Sequence, residues 1–133
     1  MNDKISDYLY NKIYFLKNWN KKKFDKMIDW YAHSGLLFAV ANEKEDIIGA
    51  TAVRIIDSKD IYSYGDSFNH NPKGDTYFIE FMASEEKGVK SHILDMAIKE
   101  LGIYKYVAYQ RAKNGNRMTF LPANRFKLIH QRG

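Results

Sequence analysis

Glu80 stands alone as an acid in the aromatic and apolar stretch TYFIEFMAS, Thr76 to Ser84. An acid between Ile79 and Phe81 must face either the solvent side of a pleated strand or a polar pocket. From a pocket, a carboxylate can take the proton of an attacking nucleophile, directly or through water. The structural alternative is an exposed strand residue paired with a lysine or arginine of the next strand. Shortly after it comes Lys87-Gly88-Val89-Lys90, where a polar loop feeds an amphipathic segment. A strand that enters a helix through a glycine-containing loop leaves backbone N–H groups open at the helix start. Those donors, with the helix dipole, can hold an anion such as a phosphate. One glycine is a weak fingerprint, and a loop carrying a solvated lysine pair is the alternative.

Other residues offer proton chemistry without a fixed constellation. The histidines are His33, His70, His92 and His130, and no spacing among them resembles a metal site. His33 and His70 flank candidate site loops and could move protons, or could be structural or exposed. His92 falls off the apolar stripe of its helix. Tyr104 and Tyr106 share one face of a strand, and Tyr109 and Arg111 share the other. Tyr109 could act as a general acid, or these aromatics could fill space between strands. Arg111, Lys113, Arg117, Arg125, Lys127 and Arg132 make the C-terminal third basic, interleaved with Tyr109 and Phe120. Such a mixture suits phosphates and stacked bases, and equally a solvated hairpin. No nuclease carboxylate cluster, zinc knuckle or Walker loop accompanies it.

The elements that must position these residues follow from periodicity. Asp3 to Lys17 has Ile5, Leu9, Ile13 and Leu16 on one stripe and predicts a helix. Lys21 to His33 predicts a second, with Phe24, Met27, Ile28 and Tyr31 spaced for burial and Asn18 or Asn20 as its cap. Its opening Lys21-Lys22-Lys23 is unusual, because cations sit badly at a helix N-terminus. Either the helix begins later, or the lysines meet an acidic partner, or they form a solvated first turn. Ser34-Gly35 ends the helical region. Leu36 to Ala41 and Ile47 to Ile56 predict an antiparallel hairpin around the polar turn Asn42 to Asp46. Asp57 to Asp75 reads as a long loop, with a brief strand at Ile61 to Tyr64. Thr76 to Ala83 is a strand, followed by the loop Ser84 to Lys87. Val89, Ile93, Met96, Ala97 and Leu101 mark a helix that Gly102 stops. Tyr104 to Arg111, Arg117 to Leu121 and Arg125 to His130 close the chain as strands, with an Asn114-Gly115 turn between the first two. The strands on either side of the central helix should be parallel, joined by a right-handed crossover. The remaining strands can be antiparallel neighbours, so the fold class is α/β, a mixed sheet with helices packed on its faces.

Composition sets bounds on this picture. A chain of 133 residues is the size of one domain, and no repeat, low-complexity tract or linker divides it. With 45% hydrophobic and 15% aromatic residues it can fill a core. The absence of cysteine excludes disulfides, thiolate catalysis and cysteine zinc sites. No apolar run reaches membrane-spanning length, and the opening MNDKISDYLY lacks a signal-peptide core, so a cytoplasmic location is the expectation. A net charge of +5 permits acidic partners: phosphorylated cofactors, nucleic acid or an acidic protein. A lysine-rich soluble surface explains it as well.

The element order, and the hairpin LLFAVANEKEDIIGATAV in particular, resembles the GNAT superfamily of acyl-CoA-dependent acyltransferases. The likeness runs by pattern from Leu36 to Ile129. It implies a single GNAT-like domain over residues 1–133. In that family the strand after the hairpin binds the pantetheine arm, and the next loop and helix start cradle the pyrophosphate. Carried to this chain, the resemblance gives Phe81, Met82, Ala83 and Ser84 to the pantetheine arm and Lys87, Gly88, Val89 and Lys90 to the phosphates. The family's loop usually reads Gln or Arg, two residues, Gly, one residue, then Gly or Ala. Here Glu85 stands at the first position and Lys90 at the last, and only Gly88 matches. Two acids beside a pyrophosphate oppose binding, and Lys87 and Lys90 offset them. Within the same fold, YFIEFMAS is similar to the acid-bearing strand of toxin-activating lysine acyltransferases. Those enzymes have a degenerate loop, draw their acyl group from acyl carrier protein and use an N-terminal histidine. Glu80 matches the acid by type, and His33 is the only candidate for that N-terminal histidine.

The expected activity is therefore acyl transfer from a thioester donor, acyl-CoA (acetyl-CoA or another thioester) or acyl carrier protein, to an amine on a protein, small molecule or nucleobase. Glu80 would be the base, Tyr109 the acid toward the leaving thiolate, and His33 a further proton carrier. No metal is implied. One rival is a nucleic-acid-binding or nucleobase-modifying protein that uses the basic C-terminal face. Another is a noncatalytic interaction module on the same fold.

Overall fold

The computed structural model describes residues 2–57, 70–101, 106–111 and 117–122. Its elements are α1 (Asn2–Lys12), a 3-10 turn (Tyr14–Asn18), α2 (Lys21–His33), β1 (Leu37–Ala41), β2 (Ile47–Ile56), β3 (Thr76–Ser84), α3 (Lys87–Leu101), β4 (Tyr106–Arg111) and β5 (Arg117–Pro122). The fold is mixed α/β, with strand order β1-β2-β3-β4-β5. The hairpin β1–β2 and the pair β4–β5 are antiparallel, and β3–β4 is parallel, as the sequence predicts. The brief strand at Ile61 to Tyr64, the Asn114-Gly115 turn, the stop at Gly102 and the strand Arg125 to His130 lie outside the described residues. Contacts gather the chain into two compact units, Met1–Ala52 with Phe81–Leu101, and Val53–Glu80 with Gly102–Gly133.

In the first unit the core is built from Ile5, Leu9, Leu16, Phe24, Ile28, Tyr31, Phe38, Phe81, Ile93 and Ala97. The first helix is shorter than its apolar stripe. It ends at Lys12, Ile13 turns extended, and the chain resumes as a 3-10 turn. The tighter winding brings Leu16 fully into the core and leaves Tyr14, Phe15 and Trp19 outside. The Tyr10 hydroxyl donates to the Trp19 carbonyl at 2.7 Å, tying the end of the turn back to α1. The three lysines that open α2 have a local explanation. Asn20 caps the helix by accepting from the Lys23 N–H at 3.1 Å. Lys21 bonds Asp7 of α1 at 2.7 Å and Asp25, one turn on, at 2.6 Å. The helix does begin at Lys21, and the acids that meet its first cation belong to this chain.

Gly35, at φ +72°, closes α2. Its N–H bonds the Ala32 carbonyl and the Leu36 N–H bonds that of Tyr31, a Schellman termination. The β1–β2 turn is closed by Asn42, whose Oδ1 accepts from the N–H groups of Lys44 and Asp46. Gly49 on β2 decides how α3 is seated. A Cβ there would lie 2.4 Å from Ile93 Cδ1 and 2.6 Å from Val89 Cγ1, so only a bare backbone lets the helix lie this close.

In the second unit the parallel register pairs Thr76, Tyr77, Phe78 and Ile79 with Tyr106, Val107, Ala108 and Tyr109. Ile56, Phe78 and Ala108 form a buried cluster on one side of these strands. The chain enters β3 pinned to the end of β2. Asn71 N–H bonds the Ile55 carbonyl at 2.7 Å, and the Ile55 N–H donates to His70 Nδ1 at 3.1 Å. Gly74 follows, where a Cβ would stand 2.5 Å from the Ile56 carbonyl oxygen.

Candidate functional site

β3 positions Glu80 on the same side as Phe78, because side chains two apart along a strand share a face. Arg54, two residues before Ile56 on β2, reaches it. The Arg54 Nε and Nη2 both lie 3.3 Å from Glu80 Oε2. The guanidinium is almost wholly buried, its carbon 5.1 Å from the centre of the Phe78 ring. The Glu80 side chain is 15% exposed. The acid thus sits in a polar niche lined by an apolar wall, neither at the open surface nor alone. Burial pushes its carboxyl above the usual glutamate range, and the charge and hydrogen bond of Arg54 pull against that rise. Both arginine contacts converge on Oε2, and Oε1 carries no bond among the described residues.

His70 lies near the same pair. Burial holds its imidazole below the usual histidine range, and the charge of Arg54 adds to the effect. Its Nδ1 accepts from the Ile55 N–H, which requires that nitrogen to be unprotonated. Sequence reasoning missed Arg54. The signal was present, since IIGATAVRII is an apolar strand with a single cation, and a buried cation must find an acid. The pairing of Glu80 with a basic residue on the neighbouring strand was foreseen as the alternative for an exposed acid, and the pair is instead largely buried.

Tyr109 is placed apart from Glu80. It pairs with Ile79, and residues paired across a ladder share a face, so Tyr109 and Glu80 point to opposite sides of the sheet. His33 ends α2 on the surface, its Nδ1–H donating to the Asp29 carbonyl one turn back at 2.7 Å. It belongs to the first unit, and its ring makes a contact within its own helix.

Phe81–Ser84 continue β3 beyond the β4 ladder, which ends at Ile79↔Tyr109. The Phe81 carbonyl accepts from the Thr51 hydroxyl at 3.0 Å, and backbone groups alternate in direction along a strand. The N–H and C=O groups of Met82 and Ser84 therefore aim away from β2. Phe81 is buried among aromatics, 5.1 Å from Phe24 and 5.7 Å from Trp19 between ring centres, whereas Met82, Ala83 and Ser84 are half-buried.

The segment expected as a loop before Val89 is already helix. α3 starts at Lys87, and the Lys90 N–H bonds the Glu86 carbonyl at 3.2 Å. That bond removes the Lys90 amide from any anion cradle. The first-turn donors are the N–H groups of Lys87, Gly88 and Val89. Gly88 is exposed, and a Cβ built on it meets nothing within 4 Å. The space above this backbone is open. Glu85, the acid that stands at the family loop's basic position, is tied down. Its carboxylate pairs with Lys12 of α1 at 3.0 Å, and its N–H bonds the Ile48 carbonyl at 2.9 Å. Tyr8 donates to that same carbonyl at 3.1 Å, and burial, with Glu85 beside it, pushes its phenol up to about 12.

The side chains of Lys87, Arg111 and Arg117, and all of Lys113, Arg125, Lys127, His130 and Arg132, lie outside the described residues, so the basic C-terminal face is not placed. Among the described residues no group of histidines and acids could hold a metal ion, and no helix is long and apolar enough to cross a membrane. No known protein family, curated protein or solved structure matches the chain.

Proposed function

We propose that this chain is an N-acyltransferase of GNAT-like organisation, moving an acyl group from a thioester donor to an amine. The observation that carries the reading is the parallel β3–α3–β4 unit behind an antiparallel hairpin, with a half-buried acid on β3 one residue beyond the end of the β4 ladder. Glu80 takes a proton from the amine through Oε1 while Arg54 holds Oε2. The amine nitrogen attacks the thioester carbonyl, a C–N bond forms, the C–S bond breaks, and the proton that Glu80 took passes to the sulfur, so that a thiol departs and the carboxylate is restored. Desolvation makes the carboxylate a stronger base than one in water, and Arg54 favours its ionised form. Phosphate groups of the donor are held by the N–H groups of Lys87, Gly88 and Val89. The β3 backbone at Met82 and Ser84 supplies bonds to an extended pantetheine arm. Tyr109 faces away from Glu80 and has no role in this scheme, and His33 is left with its helix contact.

Three measurements test it together. Acyl-CoA, or acylated carrier protein, should raise the melting temperature, as a ligand of the native state must. Glu80→Gln should lower turnover by about 100-fold or more while keeping that rise. Gly88→Ala should fold at least as well as the parent, since alanine favours helix, but should weaken donor binding by filling the open space. The competing reading is that Glu80 serves only to neutralise buried Arg54 in a noncatalytic domain. A melting temperature unmoved by every thioester tried would decide for that alternative.

A further inference from the structure

We propose that the 3-10 turn between α1 and α2 docks the protein on an anionic lipid surface. The surface is independent of the chemistry assigned to Glu80. Tyr14 is 75% exposed, Trp19 40% and Phe15 38%, and these are the exposed large hydrophobic side chains among the described residues. All three lie within six consecutive positions, Tyr14 to Trp19. They are firmly mounted. Leu16 between them is fully buried, Tyr10 holds the Trp19 carbonyl at 2.7 Å, and Trp19 meets the buried Phe81 ring edge-on at 5.7 Å. An aromatic cluster on a fixed turn is the arrangement found where rings sit at headgroup level.

Charge selects the lipid. From Lys12 to Lys26 the chain carries six lysines and a single acid, Asp25. Lys12 and Lys21 are paired with Glu85, Asp7 and Asp25, whereas Lys22, Lys23 and Lys26 are exposed. Lys17 lies with its Nζ 3.9 Å over the Tyr14 ring, at the base of the cluster. Lysines flanking interfacial aromatics are drawn to anionic headgroups and can extend their amines toward them. Single-stranded nucleic acid fits less well. Base stacking needs open ring faces, but Lys17 occupies a face of Tyr14, and Phe15 and Trp19 tilt against each other at 5.9 Å.

The test is sedimentation of the full chain with vesicles of phosphatidylcholine plus phosphatidylserine, beside vesicles of phosphatidylcholine alone. The protein should pellet with the anionic vesicles, less so as salt is raised, and its tryptophan emission should shift to shorter wavelength. Trp19→Phe should abolish the emission shift. The double variant Tyr14→Ser with Phe15→Ser should lose at least tenfold in vesicle affinity while still unfolding in one cooperative transition, because neither side chain belongs to the buried core. No pelleting with anionic vesicles overturns the proposal. So does pelleting that the double variant retains in full, which would leave charge alone as the cause. Retention on single-stranded nucleic acid without vesicle binding overturns it in favour of stacking.

Discussion

The Arg54–Glu80 pair is where single side chains matter most. Arg54 is almost entirely withdrawn from water, and Glu80 is an acid held against it. Losing one member of a buried pair costs about 3 kcal/mol or more, because the other stays charged and dry. For Glu80→Gln the loss should be smaller than that, because leaving Arg54 without its counter-charge is partly offset by removing a carboxylate whose ionisation burial disfavours. Replacing both, as Arg54→Met with Glu80→Gln, should recover much of the loss. Chemical unfolding of the two single variants and the double closes the cycle. Additive losses would show that the two side chains do not act as a pair. This cycle also separates roles: the double variant restores folding without restoring a base, so turnover that returned with stability would remove Glu80 from the chemistry. The pair itself was half legible in the sequence. A lone acid in one apolar strand and a lone cation in another imply each other, but the strands must be neighbours before the implication becomes a contact. Nothing local in TYFIEFMAS announces Arg54.

At the scale of elements, close seating of α3 depends on Gly49. Gly49→Ala should drive a methyl into Val89 and Ile93 and cost about 1–3 kcal/mol, as overpacking does. Thermal unfolding checks it, and Ile93→Val in the same chain should recover part of the loss by clearing the nearest atom. Periodicity located most elements well. The bounds of α2 and β2 agree residue for residue with the expectation, because a side-chain cap at Asn20, a glycine terminator at Gly35 and unbroken apolar patterning mark them. Other strand ends differ by a residue or two, and two helix boundaries escaped for a physical reason. The stripe Ile5, Leu9, Ile13, Leu16 fits a helix through Lys17, yet the chain breaks at Ile13 and buries Leu16 by a tighter turn. Both windings put Leu16 inside, so apolar spacing could not choose between them. Lys87 and Gly88 read as loop because a cation and a glycine disfavour a first turn, but the Glu86–Lys90 bond starts the helix there regardless.

At the scale of the molecule, strand topology was legible because connection length constrains it. A five-residue polar turn permits only an antiparallel neighbour for β1 and β2, and a helix between β3 and β4 permits a parallel pair. The segments after Pro122, and with them the basic C-terminal face, lie outside the described residues. Global stability should also carry a pH signature. The folded state holds His70 below its ordinary range, so the unfolded chain binds that proton more readily. Stability from this group is full above the unfolded histidine range and is lost as pH falls toward the folded value. Glu80 acts in the opposite sense: its folded carboxyl is raised, so its ionisation costs stability as pH rises through that value. Urea unfolding in the window from neutral down to mildly acidic pH should show stability falling. His70→Asn, which keeps an acceptor for the Ile55 N–H but does not titrate, should flatten that fall. An identical pH slope in the variant would assign the effect elsewhere.

The tip of the β1–β2 hairpin has a use of its own. Asn42 to Asp46 are all exposed, the turn closes through its own hydrogen bonds, and Glu45 adopts a left-handed backbone at φ 66° that glycine or asparagine would accept more readily. A reporter group or a short graft attached there would hang in solvent from a loop that needs no help from the interior to keep its shape.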